Sequence, residues 1–155
     1  MSTDPLQIAA ARLVLELLVR EELPGVAVNA LQDGCESQSM IFLAGLSRSQ
    51  IHEARPLFES ALSELGLSLP GKREAVMMLA REEARAILDG SSSAYEGAER
   101  IWDLTLLLEP DGLDHELDTF LYAAMEWPDR PQDAAIFEEG VRLAAADLVQ
   151  DPGRA

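Results

Sequence analysis

Residues 79–102, LAREEARAILDGSSSAYEGAERIW, decide the fold class of this chain. Together with Val76, the side chains of Leu79, Ala80, Ala84 and Ile87 recur at three- and four-residue spacing, which lines them up on one stripe of an α-helix. Asp89-Gly90 then stops that helix, because glycine enters the left-handed backbone that closes a helix with no Cβ penalty. Ser93-Ala94-Tyr95-Glu96 opens another as a capping box, in which the serine oxygen accepts from the third amide and the glutamate reaches back to the cap amide. Ala98, Ile101, Trp102, Thr105 and Leu108 follow on one side of it. A helix, a tight turn and a second helix are thus written in one uninterrupted run.

The same punctuation extends towards the N-terminus. Asp4-Pro5 is a helix start, with a side-chain acceptor at the cap and a pre-set φ at the first helical position. The apolar pattern predicts a first helix to about Glu22, ended by Pro24-Gly25. On it Arg12, Glu16 and Arg20 form a narrow polar stripe, so the helix is expected in the middle of the core or against a partner. A short helix over 26–32 stops at Asp33-Gly34, and Ser37 caps a third that carries Met40, Ile41, Phe42 and Leu43. Ser49 offers a cap before Gln50, and Pro56 divides a first turn from a main helix ending at Gly66. Leu69-Pro70-Gly71 leads into the long helix that ends at Leu88.

Towards the C-terminus, Pro110-Asp111-Gly112 reads as a turn, and Leu113, Leu117, Phe120, Leu121 and Ala124 form the cleanest amphipathic stripe, ending at Trp127-Pro128. A last helix starts at Pro131 and carries Phe137, Val141, Ala145 and Leu148; residues 150–155 are expected to fray. No run alternates apolar and polar residues between hairpin turns, and no repeat of helical-array length is present. The expected fold is all-α, one domain over 1–155, as an irregular or orthogonal bundle of about seven helices, with a short stack of helix pairs as the alternative.

Charge bounds the function. Lys plus Arg number 12 against 28 Asp plus Glu, a net charge of -16. Residues 1–88 hold 12 acidic and 8 basic side chains, whereas 89–155 hold 16 and 4, so the second half owns most of the field. Such a field repels phosphate backbones and anionic headgroups, which argues against direct nucleic-acid or membrane-surface binding. The single cysteine, Cys35, has no partner for an internal disulfide, and the N-terminal apolar run is broken by Arg12 and Glu16 and lacks a basic leader, so a cytoplasmic protein is expected.

No catalytic or cofactor-binding constellation is legible. The two histidines, His52 and His115, stand outside any metal or catalytic frame. Asp111, His115 and Asp118 are spaced to share one polar face and are the candidate for a divalent cation; the plainer reading is a solvated acidic face at a helix start. Cys35 sits beside Glu36, which disfavours a reactive thiolate. Met77 and Met78 read as core filler or an adaptable groove, and Arg81 with Arg85 as a solvated face or an anion clamp. The strongest candidate for binding is Trp127, flanked by Glu126, Asp129 and Asp133: an aromatic anchor ringed by acids suits a basic partner, while a tryptophan closing the core beneath a loop is the alternative.

The run from Leu79 to Trp102 also resembles a pattern recurring in small all-helical bacterial proteins of uncharacterised function: an Ala-rich helix, an Ile-x-x-Gly stop and a Gly-Ala-x-x-Ile-Trp start. The resemblance rests on Ala80, Ala84, Ile87, Gly90, Gly97, Ala98, Ile101 and Trp102, and Ala94 stands where those proteins often carry proline. It implies a fold and no activity, with Gly97 admitting a close helix approach near Trp102. The expected function is a non-catalytic protein–protein interaction domain whose acidic C-terminal half meets a basic partner, in an immunity- or inhibitor-like role. The alternatives are a homo-oligomerising structural subunit, since the first helix and Leu106-Leu107-Leu108 are strongly apolar, and a small-ligand- or metal-binding helical protein.

Overall fold

The computed structural model describes residues 4–108 and 115–150, with the Asp4 side chain left out. The chain is all-α, with eight α-helices and no strand among the described residues. It divides into two compact units, Met1–Ala75 and Val76–Ala155. The predicted turn at Pro110-Asp111-Gly112, residues 151–155 of the tail and Asp111 of the cation candidate lie outside the described residues.

The first unit holds α1 (Asp4–Val14), α2 (Leu23–Gln32), α3 (Gln38–Ala44) and α4 (Ala54–Glu64). α2 packs on α3 and α3 on α4, around Leu23, Met40, Leu43, Phe58 and Leu62, with Leu6, Ala10 and Leu13 of α1 and the thiol of Cys35 in the same core. Each such leucine or phenylalanine removed from water contributes roughly 1.5–3 kcal/mol. Ser37 caps α3 by accepting from the Met40 amide at 3.1 Å. Ser47, not Ser49, starts the 3-10 turn Arg48–Glu53, and Pro56 lies in the first turn of α4, where its missing N–H is unneeded.

The first helix is shorter than predicted. α1 stops at Val14 because Glu16 turns left-handed at φ 61°, letting the Leu17 amide reach the Arg12 carbonyl at 2.8 Å and the Glu16 amide the Leu13 carbonyl at 3.1 Å. That is the Schellman closure, which Gly34 and Gly66 make at the ends of α2 and α4. At Glu16 it is made by a residue with a Cβ, at a cost of about 1–2 kcal/mol. Pro24-Gly25, predicted as a stop, instead lies in the first turn of α2, the one place where proline fits a helix without loss.

Glu64, at the end of α4, accepts from the backbone N–H and the hydroxyl of Ser39, at 3.0 and 2.5 Å, and so caps the first turn of α3. Those two bonds, the hydroxyl's first, hold its carboxyl below the usual glutamate value of 4.5. The folded state therefore favours the ionised form: the cap is fully present above the usual value and is lost as pH falls through the lowered one.

The second unit holds the body of α5 (Lys72–Asp89), then α6 (Ala94–Thr105), α7 (Asp118–Glu126) and α8 (Ala134–Gln150). α6, α7 and α8 pack mutually and bury Ile101, Leu117, Phe120, Val141, Ala145 and Leu148. Ser93 caps α6 by accepting from the Glu96 amide at 3.1 Å, but the Glu96 carboxylate faces Arg100 at 3.4 Å. Gly97 does admit a close approach, and the neighbour is Ile87 of α5: a Cβ at 97 would fall inside the Cγ1 and Cδ1 of this fully buried side chain. No helix among the described residues is long and apolar enough to cross a membrane.

Three outcomes are expected. Glu16→Gly should raise stability by about 1 kcal/mol, read by urea denaturation with far-UV circular dichroism. Gly97→Ala should lower it by about 1–3 kcal/mol, read by tryptophan fluorescence, since Trp102 and Trp127 both lie in the second unit. The stability difference between the wild-type chain and Glu64→Gln should shrink on acidification through the carboxylate range; a difference constant with pH would refute the cap.

Candidate functional site

Pro128 cannot donate to the helical ladder, so α7 ends at Glu126 and tightens into a 3-10 turn, Trp127–Asp129. That turn places the Trp127 indole against two other elements. Its ring stacks on Phe137 of α8, centroids 5.7 Å apart and planes 21° apart, and meets Tyr95 of α6 edge-on at 5.4 Å. Tyr122 of α7 lies 6.0 Å from Phe137 on its other contact. Three helices are thereby joined through aromatic pairs, each worth about 0.5–1.5 kcal/mol beyond its buried area. Burial raises the Tyr95 pKa, and its hydroxyl donates to Glu99 at 3.1 Å.

Arg130 completes the cluster. Its guanidinium lies 5.5 Å from the Phe137 ring centre, donates to one Asp133 oxygen from two nitrogens at 2.9 and 2.6 Å, and donates to the Tyr122 hydroxyl at 3.0 Å. The Asp133 bonds hold its pKa above the usual arginine value, so the charge is fixed. Of the four residues singled out in sequence, Trp127 is half-buried in intramolecular stacking and Asp133 turns to Arg130. Glu126 is half-buried and Asp129 exposed, and neither has an ion pair among the described residues. The sequence reading missed Tyr95, Tyr122, Arg130 and Phe137; the Arg130-x-x-Asp133 spacing around a proline was the available sign.

Elsewhere the candidates separate. His115 Nδ1 lies 3.0 Å from an Asp118 oxygen, both side chains exposed, and no group of three potential ligands is present among the described residues. Arg85 pairs with Glu82 at 2.6 Å, while the Arg81 Nε is buried without a hydrogen-bond partner among the described residues, so the two arginines do not share one task. Cys35 is buried in the first unit's core and Met77 is buried as well. The first unit carries an open cleft of about 590 Å³ lined by Leu13, Leu18, His52, Arg55 and the strained Glu16. Its charges are mixed, with Arg20 facing Glu21 at 3.7 Å, and no nucleophile stands beside a base in its lining.

The electrostatics of the second unit are lopsided. Residues 76–155 contain 18 acidic and 6 basic side chains. Four of those bases are engaged internally: Arg85 with Glu82, Arg100 with Glu83, Glu96 and Ser92, Arg130 with Asp133 and Tyr122, and Arg142 with the Ile87 carbonyl and Glu138. Asp103, Glu116, Glu126, Asp129, Glu139 and Asp147 form no ion pair among the described residues. The comparisons with known proteins add nothing to this geometry. No protein family, curated sequence or solved structure matches the chain. The Leu79–Trp102 pattern is accounted for by packing and capping.

Because the Trp127 ring is held on two sides, Trp127→Ala should cost about 2–4 kcal/mol of the second unit's stability, and Trp127→Phe should recover most of it. Urea denaturation followed by circular dichroism measures both. A loss below about 0.5 kcal/mol would make the indole a surface group.

Proposed function

We propose that this protein is a non-catalytic interaction domain whose acidic second unit engages a basic surface on a protein partner. The supporting observation is the imbalance just described: the bases of that unit are largely used within the fold, and six carboxylates are left without counter-charges among the described residues. A field of one sign steers an oppositely charged partner and rejects like-charged ones, so specificity and association rate follow the charge. Asp129, which is exposed, and the half-buried Glu126 and Trp127 are the groups offered to that partner in this reading. An antagonist of a nucleic-acid-acting protein is the concrete version, because an acidic helical surface can occupy a groove built for phosphates.

A homo-oligomer is the second reading, favoured by Leu106 and Leu107, 67% and 40% exposed at the end of α6. Light scattering decides it, and a monomer at all working concentrations would end it.

The principal reading is tested with a partner captured from source cells and then purified. Binding should weaken about tenfold or more between low and physiological salt, and again in the triple variant Asp103→Asn, Glu126→Gln, Asp129→Asn. The control triple in the first unit, Asp33→Asn, Glu36→Gln, Glu53→Gln, should bind as the wild type does. Equal losses in both variants, or affinity indifferent to salt, would overturn the reading.

A further inference from the structure

The second unit contains a groove outside the aromatic cluster. It has a volume of about 420 Å³ and runs between the 3-10 turn His115–Leu117 with the start of α7 on one side and α8 on the other. Gly140 lies in its lining, with Thr119 of α7 3.9 Å from where a Cβ would stand. Leu148 forms buried floor, Ala144 and Leu143 the apolar wall, and Glu116 and Asp147 face the opening from opposite sides.

Beyond the groove, α8 carries an exposed apolar stripe. Ile136, Gly140, Leu143 and Asp147 are spaced four, three and four residues apart, so they form one stripe, offset from the stripe of Phe137, Val141, Ala145 and Leu148 that faces the core. Ile136 is 70% exposed and Leu143 62%. Arg142, the only basic residue on α8, lies on the opposite side of the helix, where it donates to the Ile87 carbonyl at 3.2 Å. An apolar strip with acids at its rim and no cation facing it among the described residues is the complement of a helix carrying leucine-like side chains on one face and lysine or arginine beside them.

We propose that this groove is the docking site for a basic amphipathic helix of the partner protein. The inference rests on the interaction reading above and adds to it the place and the shape of the ligand. Charge selects this occupant over a second copy of the chain, which would bring a net charge of -16 to an already acidic rim. The apolar side chains of the incoming helix seat on Leu143, Ala144 and Ile136, and its cations reach Glu116 and Asp147.

The test uses the full-length protein and two synthetic peptides of equal composition, lysine and leucine only: one with leucines at helical three- and four-residue spacing, the other scrambled to remove that face. The amphipathic peptide should bind about tenfold tighter or better than the scrambled one, with amide shifts in nuclear magnetic resonance spectra concentrated at 115–119 and 136–148. Leu143→Ser with Ile136→Ser should abolish that preference while leaving the melting temperature unchanged, as both side chains are exposed. Equal affinity for the two peptides overturns the groove and leaves the charge reading standing. Binding of neither overturns both. Shifts confined to other residues, or a dimer of the wild-type chain that Leu143→Ser dissolves, also overturn the proposal.

Discussion

The constraint on which the second half of this molecule depends is self-repulsion among carboxylates. Residues 76–155 carry 18 acids and 6 bases, and a compact unit must hold those charges closer together than the unfolded chain does. The fold answers by placing three of its arginines, Arg100, Arg130 and Arg142, where each serves more than one group. Arg100 reaches Glu83, Glu96 and the Ser92 hydroxyl, joining the end of α5 to α6. Arg130 binds Asp133 and Tyr122 and covers Phe137, joining the turn after α7 to α8. Arg142 ties α8 to the last turn of α5 through a carbonyl. Uncharged packing does the remainder, through the Gly97–Ile87 approach and the stacked rings around Trp127.

This arrangement separates what holds the unit together from what it presents. Arg130 and the aromatic rings are turned to one another, and the acids without partners among the described residues, with the apolar stripe on α8, are left outward. In the interaction role proposed above, unpaired charge would give long-range attraction, and exposed leucine and isoleucine would give area to bury. The first unit is less lopsided: residues 1–75 carry 10 acids and 6 bases, and Arg20 and Arg55 face Glu21 and Glu59.

Much of the fold was legible because helix ends are written in local chemistry. Ser37 and Ser93 cap as their spacing requires, and Gly34, Gly66 and Gly90 take the positive φ that a helix stop uses. The first helix misled for the same reason: its stop is at Glu16, where no glycine announces it, and Pro24-Gly25 has the look of a stop while serving as a start. The partners of Trp127 were not legible, because Tyr95 and Phe137 reach it only through the packing of three helices. The groove was hidden similarly, since it forms between α8 and residues 116–119, two segments that only tertiary packing brings together. The surplus of acid was plain from composition; which carboxylates lack partners needed the side-chain geometry.

The most direct measurement of this account is the salt dependence of unfolding of the second unit, followed by the fluorescence of Trp102 and Trp127 in sodium chloride from about 20 mM to about 500 mM. Screening relieves repulsion among unpaired carboxylates, so the melting temperature should rise steadily across that range. A melting temperature that stays flat or falls would mean that the acids are neutralised within the fold, and would contradict the account.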